Sequence, residues 1–268
     1  MTDRSGTLPS SPASAGEEAS TPVLDIRGVV RRYGGLTAVD DVSLTLGQRE
    51  RLAVIGPNGA GKTTLFKLIA GEVSTSAGTV AFEGRDVTRW SSRRRARLGI
   101  ARTFQVSNLF PTLTVADNVT LAAQALRPVR WSFWPRAGTK AATAEVDRVL
   151  EQLMLTARRD NPVESLSHGE RRQVEIAMAL VVQPRLLLLD EPAAGLSVVE
   201  RQRLREVLEG LPRSVPYLLI EHDLTLALGL ADRVLCLDNG RTIAAGTPAE
   251  IRRNAHVREV YLGRAATS

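Results

Sequence analysis

Apolar positions fall into short blocks separated by polar, glycine-rich breaks, and the blocks alternate between two spacings. Val23, Leu24, Ile26, Val29 and Val30 predict a strand, and Tyr33-Gly34-Gly35 a turn. Residues 42–46 alternate like a second strand, and residues 52–55 form a short apolar strand ending at Gly56. Helical spacing then begins, with Leu65, Leu68 and Ile69 on one face and Gly71 as the stop. Residues 79–82 predict a further strand, and 112–126 and 143–155 predict helices. A helix over 169–182 precedes a buried strand at 186–189, followed by a helix near 198–210. Residues 217–220 predict a strand and 223–230 a helix. Asp238-Asn239-Gly240 between apolar runs is a hairpin signal. Thr247-Pro248-Ala249-Glu250 is a capping box with Pro at the first helical position. No internal repeat is seen. Strands alternating with helices predict an α/β fold with a helical insertion near 106–165.

An apolar content of 43% in 268 residues is ordinary for a globular protein and excludes a largely disordered or fibrous chain. Residues 1–22 are rich in Ser, Thr, Pro, Ala and Gly, with almost no large apolar side chains. Such a segment cannot offset its ordering entropy, so a disordered tail is expected there. No apolar run approaches the ~20 residues that span a bilayer. The N-terminus lacks a basic region followed by an apolar stretch, so no secretory signal is expected. The single cysteine, Cys236, excludes an internal disulfide and reads as a small core residue between Leu235 and Leu237.

The formal net charge is +6, a value that first suggests nucleic acid or an anionic membrane surface. Its distribution changes that picture. Residues 85–102 hold seven Arg and one Asp, a local +6, so the rest of the chain sums to zero.

Gly56-Pro57-Asn58-Gly59-Ala60-Gly61-Lys62-Thr63 matches the phosphate-loop pattern in full, with a predicted strand before it and a helix after it. Glycines let backbone N–H groups cradle phosphate oxygens, and the helix presents its positive end to the same anion. Lys62 is placed to reach the β- and γ-phosphates, and the Thr63 hydroxyl to hold Mg²⁺. The apolar strand at 186–189 delivers Asp190 and Glu191. Asp190 is the candidate to orient Mg²⁺ through water, and Glu191 the candidate general base.

These residues resemble the ATP-binding-cassette (ABC) ATPases from about residue 23 to 263. The most diagnostic piece is Leu166-Ser167-His168-Gly169-Glu170. The resemblance implies a P-loop, RecA-like ATPase core with an antiparallel β subdomain and a helical insertion subdomain. It implies one ATPase domain over 23–268, with the helical subdomain at about 106–165 and a C-terminal extension at about 241–268. In the family the pentapeptide opens a helix and binds the γ-phosphate of ATP held by the other subunit of a head-to-tail dimer. That role falls here on Ser167, Gly169 and Glu170. Ser167 and Glu170 also read as a helix N-cap and its capping-box partner. The resemblance further implies that Tyr33 stacks on adenine and that Thr64 joins the phosphate loop in nucleotide binding. Gln105, in Ala101-Arg102-Thr103-Phe104-Gln105, would sense Mg²⁺ and water, and His222 would contact the γ-phosphate. Three positions depart from the common pattern. His168 and Glu170 replace Gly and Gln of the pentapeptide, and Ser197 stands where the loop after Glu191 usually ends in Asp.

Several stretches are similar to the importers of branched-chain amino acids and related amides. They are Arg32-Tyr33-Gly34-Gly35-Leu36, residues 101–105, Glu191-Pro192-Ala193-Ala194-Gly195-Leu196, Ile220-Glu221-His222-Asp223, and the tail from Gly246-Thr247-Pro248 to Val260-Tyr261-Leu262-Gly263. The pentapeptide with His168 is also similar to that of urea and short-amide importers. The closing stretch and Gly169-Glu170-Arg171-Arg172 are shared with the lipopolysaccharide-export ATPase. The resemblance implies ATP and Mg²⁺ as cofactors, transmembrane permease subunits, and a second ATP-binding subunit, identical or different. An extracytoplasmic solute-binding protein would act through the permease, and the chain would lie peripherally on the cytoplasmic face of the membrane. No nucleic acid is expected, since the chain has one cassette, no heptads and one cysteine. The Arg-rich stretch leads into Gln105, where such ATPases receive a membrane partner's helix. Arg93 to Arg97 therefore reads either as an edge facing lipid headgroups or acidic partner loops, or as a solvated helix face. Trp131, Phe133 and Trp134 read either as a membrane-interface contact or as an exposed loop packed on the helical subdomain.

Overall fold

The computed structural model describes residues 21–103, 109–125 and 140–265. Two sheets share a hydrophobic layer. The first is antiparallel and built from β1 (Leu24–Tyr33), β2 (Leu36–Leu46), β4 (Ala77–Phe82) and β5 (Arg85–Asp86), in the order β2-β1-β4-β5. Along β2, Val42, Leu44 and Leu46 are buried while Asp41, Ser43 and Thr45 face solvent, the period-two signature of a sheet covered on one face. β1 and β2 run further than the sequence pattern predicts. Arg31, Arg32 and Tyr33 carry no apolar period, yet they pair with Val39, Thr37 and Leu36 across the Gly34-Gly35 turn.

The second sheet contains β3 (Arg51–Ile55), β6 (Ile100–Arg102), β7 (Leu186–Asp190), β8 (Tyr217–Ile220), β9 (Arg233–Asp238) and β10 (Arg241–Gly246). Its order is β10-β9-β3-β8-β7-β6. All neighbours are parallel except β9 and β10, which form the expected hairpin at Asn239-Gly240. Every residue of β3, β7 and β8 is buried. Continuous burial is what a parallel sheet covered on both faces requires.

One face of this sheet meets the antiparallel sheet and α1 (Lys62–Ala70) through Leu52, Val54, Phe66, Leu188, Leu218 and Ile220. The other face meets the helical layer of α3 (Val115–Ala125), α4 (Lys140–Gln152), α5 (His168–Leu180) and α6 (Val198–Glu209). Ile55, Ala227 and Cys236 meet Ile251 and Val257 of the C-terminal helices α8 (Pro248–Arg253) and α9 (Ala255–Ala265), beside α7 (Leu224–Leu230). Cys236 is fully buried, and burial pushes its thiol up to about 12. That is the behaviour of an inert core residue. α4 starts before the predicted position and ends earlier. The chain leaves the helix because Met154 takes a left-handed φ of 57° and the Leu155 N–H returns to the Leu150 carbonyl.

The Arg-rich stretch contains a helix, α2 (Ser92–Leu98), that apolar periodicity did not reveal. It also corrects the expectation of one basic edge. Arg93, Arg94 and Arg97 are exposed, but Arg95 is only 1% exposed. Arg95 donates to the carbonyls of Leu68 and Ile69 at 2.7 and 2.8 Å, at the C-terminus of α1. It also donates to those of Thr88 and Trp90 at 3.0 and 3.2 Å. A cation on the last carbonyls of a helix satisfies orphan acceptors and opposes the helix dipole. The Arg94 guanidinium stacks 3.4 Å from the Trp90 ring centre. The N-terminal segment 1–20, Gln105, and Trp131, Phe133 and Trp134 lie outside the described residues.

Candidate nucleotide site

The parallel strands end in register. Ile220 of β8 pairs with Val54 of β3 on one side and with Asp190 of β7 on the other. The phosphate loop, the Asp190-Glu191 pair and His222 therefore leave the sheet along one edge. The carboxyl edge of a parallel sheet is where open α/β folds bind ligands.

The loop after β3 needs its glycines. A Cβ on Gly56, whose φ is 152°, would lie 2.2 Å from the Leu237 carbonyl oxygen. One on Gly61, at φ 97°, would lie 2.4 Å from the Ala38 oxygen. The loop is held from outside by Gly240, whose N–H donates to the Ala60 carbonyl and whose carbonyl accepts from Asp40 N–H. Gly61 places no side chain on the start of α1, and that first turn has no acidic residue. Its backbone donors are oriented for an anion. The Lys62 ammonium is buried and donates to the Gly56 and Pro57 carbonyls at 2.7 and 3.0 Å. Burial lowers its pKa, against the opposing pull of Glu191, Cys236 and Asp190. Thr63 and Thr64 follow on the first turn of α1, both half-buried.

Asp190 is completely buried. Its Oδ2 accepts from Arg102 Nη2 at 2.7 Å, and Arg102 also pairs with Glu72. Its Oδ1 is buried without a hydrogen-bond partner among the described residues. An orphaned anionic oxygen is costly, and a hard cation or its water shell is the partner it suits. Among the described residues no group of three or more His, Cys, Asp or Glu can hold a metal alone. A cation here would take its remaining oxygens from Thr63, phosphate and water, which is the habit of Mg²⁺. The donor set fits that ion.

Glu191 adopts φ 45°, and its N–H donates to the Ile220 carbonyl at 2.9 Å. A side chain held in the left-handed region costs roughly 1–3 kcal/mol, so the surroundings must impose it. Glu221, fully buried, accepts the Ala193 N–H at 2.9 Å and that of His222 at 3.2 Å. Burial raises the Glu221 pKa against these hydrogen bonds. The His222 side chain is more than half exposed and stands just before Asp223, the N-cap of α7.

Ser167, Gly169 and Glu170 stand at a second place, the start of α5. The capping box is present: Ser167 accepts from Glu170 N–H, and Glu170 from Ser167 N–H. Gly169 N–H donates to Glu200 Oε1 at 2.8 Å, and Glu170 pairs with Arg158 at 2.8 Å. Ser197 caps α6 through its own box with Glu200. Tyr33, 42% exposed at the end of β1, has the Arg31 guanidinium 4.4 Å from its ring centre. A cavity of about 580 Å³ lies beside β6 between α2, α3 and α5, with Arg93, Arg102, Leu109 and Ala122 in its wall. Arg102, Arg172, Glu200 and Glu221 were not among the residues singled out from sequence. Asp190 for Arg102, the carbonyls after β7 for Arg172, the Gly169 N–H for Glu200 and the Ala193 N–H for Glu221 all lie far along the chain, and no local pattern displays these contacts.

A phosphate loop and an acidic strand end on one sheet edge, beneath an antiparallel sheet and beside a helical layer, define a P-loop ATPase of the cassette type. Residues 39–194 match the ABC transporter family model, and residues 241–267 match that of the branched-chain amino acid ATP-binding cassette transporter. The chain belongs to the ABC transporter ATP-binding family and is an ATPase. It is 39% identical over 254 residues to the high-affinity branched-chain amino acid transport ATP-binding protein LivG of Salmonella typhimurium, covering 92% of this chain and 100% of that one. It is 34% identical over 256 residues to BraF of Pseudomonas aeruginosa, with the same coverage. The crystal structure of the ADP conformation of MJ1267, an ATP-binding cassette of an ABC transporter, superposes with a TM-score of 0.80 at 29% identity, covering 90% of this chain and 99% of that one. No described helix is long and apolar enough to cross a membrane.

Proposed function

We propose that this chain hydrolyses ATP to power import of branched-chain amino acids, or related small amides and urea, through separate permease subunits. The observation that carries the reading is the full-length similarity to LivG and BraF, extended by the match over 241–267. In this reading the chain lies peripherally on the cytoplasmic face of the membrane and pairs with a second ATP-binding subunit. An extracytoplasmic solute-binding protein delivers the ligand to the permease. The helical insertion at about 106–165, with the adjoining cavity and Gln105, receives the permease, and residues from about 241 to 268 form a C-terminal extension that begins with β10.

Residues 56–64 wrap the β- and γ-phosphates with backbone N–H groups, the Lys62 ammonium and the Thr63 and Thr64 hydroxyls. Tyr33 stacks on the adenine. Thr63 would hold Mg²⁺, the free oxygen of Asp190 would orient it through water, and Gln105 would sense the ion and its water. When bound, that ion offsets the charge of the phosphate oxygens. The Glu191 carboxylate accepts a proton from the attacking water as its oxygen bonds to the γ-phosphorus. The bond to the bridging oxygen breaks, and ADP carries away the electron pair. His222 donates to a γ-phosphate oxygen. Ser167, Gly169 and Glu170 of the second subunit close the site from the other side, so closure and reopening follow the nucleotide.

Co-expression with the neighbouring membrane subunits and binding protein tests the assignment. ATPase stimulated by leucine supports the importer reading, and stimulation by urea or short amides selects that subclass. Stimulation by none of them removes the substrate assignment and leaves the ATPase.

A further inference from the structure

We infer that Arg172 is a positioning residue for Glu191 and links the two nucleotide sites of the working dimer. The inference rests on the reading of Glu191 as general base and of the α5 N-terminus as reader of the partner's γ-phosphate.

Arg172 lies five residues after Ser167, in the second turn of α5. Its guanidinium spans to the segment that follows β7. Nη2 donates to the Asp190 carbonyl at 2.8 Å and to that of Glu191 at 3.1 Å. Nε donates to the Pro192 carbonyl at 3.1 Å. One planar fork thus binds three successive carbonyls. Its side chain is only 12% exposed, and Glu175, one turn further on, pairs with it. Water therefore does not compete freely for these bonds.

The peptide planes on either side of Glu191 determine where its side chain is aimed. The fork fixes the carbonyls of both planes, and the Ile220 carbonyl fixes the Glu191 N–H. These contacts oppose the strain of φ 45°. Lysine is no equivalent, because an ammonium is a point donor without the fork geometry.

The same helix begins with Ser167 and Gly169. A helix moves as a rigid element, so α5 carries its N-terminus and Arg172 together. ATP bound to the partner and seated on that N-terminus therefore sets the aim of Glu191 toward this chain's own ATP. Arg171 is not part of this link: it donates to the Glu164 carbonyl at 2.8 Å.

The test uses the full-length chain with its membrane partners. It compares Arg172→Ala, Arg172→Lys, Glu191→Gln and the double variant Arg172→Ala/Glu191→Gln. Arg172→Ala should lower kcat about 10- to 100-fold, as loss of aim does, with ATP affinity changed less than about twofold. Its Hill coefficient for ATP should fall toward 1, Arg172→Lys should recover part of kcat, and the double variant should be no slower than Glu191→Gln. Near-wild-type kcat in Arg172→Ala, with Glu191→Gln inactive, overturns this inference and spares the base. A matched loss of kcat, ATP affinity and thermal stability in both Arg172 variants, with cooperativity intact, marks a merely structural arginine and also overturns it. Turnover retained in Glu191→Gln overturns the base reading itself.

Discussion

Glu200 accepts the backbone N–H of Gly169 at 2.8 Å, across the gap between α6 and α5. The same carboxylate accepts the Ser197 N–H at 3.0 Å and its hydroxyl at 2.8 Å. The amide proposed to meet the partner's γ-phosphate is thus already engaged by an anion of this chain. Two anions compete for one donor. Glu200→Ala should release the amide and raise the fraction of ATP-bound dimer about severalfold in a Glu191→Gln background. Light scattering with and without ATP reads it. The substitution also removes the α6 capping box, so the melting temperature should fall while association tightens.

A pH dependence follows from the same carboxylate. Its hydrogen bonds from Gly169 and then Ser197 hold Glu200 down to about 2, below the ordinary 4.5. A folded-state value below the unfolded one means that the ionised group stabilises above 4.5 and loses that contribution as pH falls toward 2. The melting-temperature advantage of the wild type over Glu200→Gln should therefore shrink between pH 6 and pH 3. An advantage that stays constant across that interval contradicts the assignment.

Arg95 and Arg93 should separate cleanly. Arg95→Ala removes the guanidinium from the carbonyls of Leu68, Ile69, Thr88 and Trp90, of which Leu68 keeps the Gly71 N–H. Buried acceptors stripped of a charged partner cost about 3 kcal/mol together. Arg93→Ala, at an exposed position in the wall of the cavity beside β6, should change stability by less than ~0.5 kcal/mol. Urea unfolding measures both, and co-purification with the permease shows whether Arg93 contributes to docking.

Asp190→Ala should remove the Mg²⁺ dependence of nucleotide affinity along with most of the turnover. The buried Oδ1 is lost, and Arg102 keeps Glu72 as its ion-pair partner among the described residues. A titration of fluorescent ATP with Mg²⁺ and with EDTA reads this directly. Two similar affinities are expected for the variant and two clearly different ones for the wild type.

The phosphate loop was legible because its physics is local. Gly56 and Gly61 must accept close backbone neighbours, and Lys62 follows at fixed spacing. β7 and β8 were legible for the same reason, since continuous burial demands a continuous apolar run. Arg95 was misread because its partners on α1 lie 26 and 27 residues away, and a run of arginines normally marks a solvated face. The extension of β1 through Tyr33 depends on pairing with β2 rather than on its own pattern. Arg172 and the Gly169 contact of Glu200 were hidden in the same way. One binds carbonyls of another element, and the other bridges two capped helices.

The most direct test of the whole account is steady-state and single-turnover hydrolysis by Glu191→Gln, with ATP occupancy measured in the same samples. Loss of the proposed general base should lower turnover at least ~10²-fold, while ATP remains bound and the chain accumulates as an ATP-loaded dimer. Steady-state hydrolysis at the wild-type rate, with no trapped nucleotide, would contradict the placement of the hydrolytic carboxylate at the end of β7.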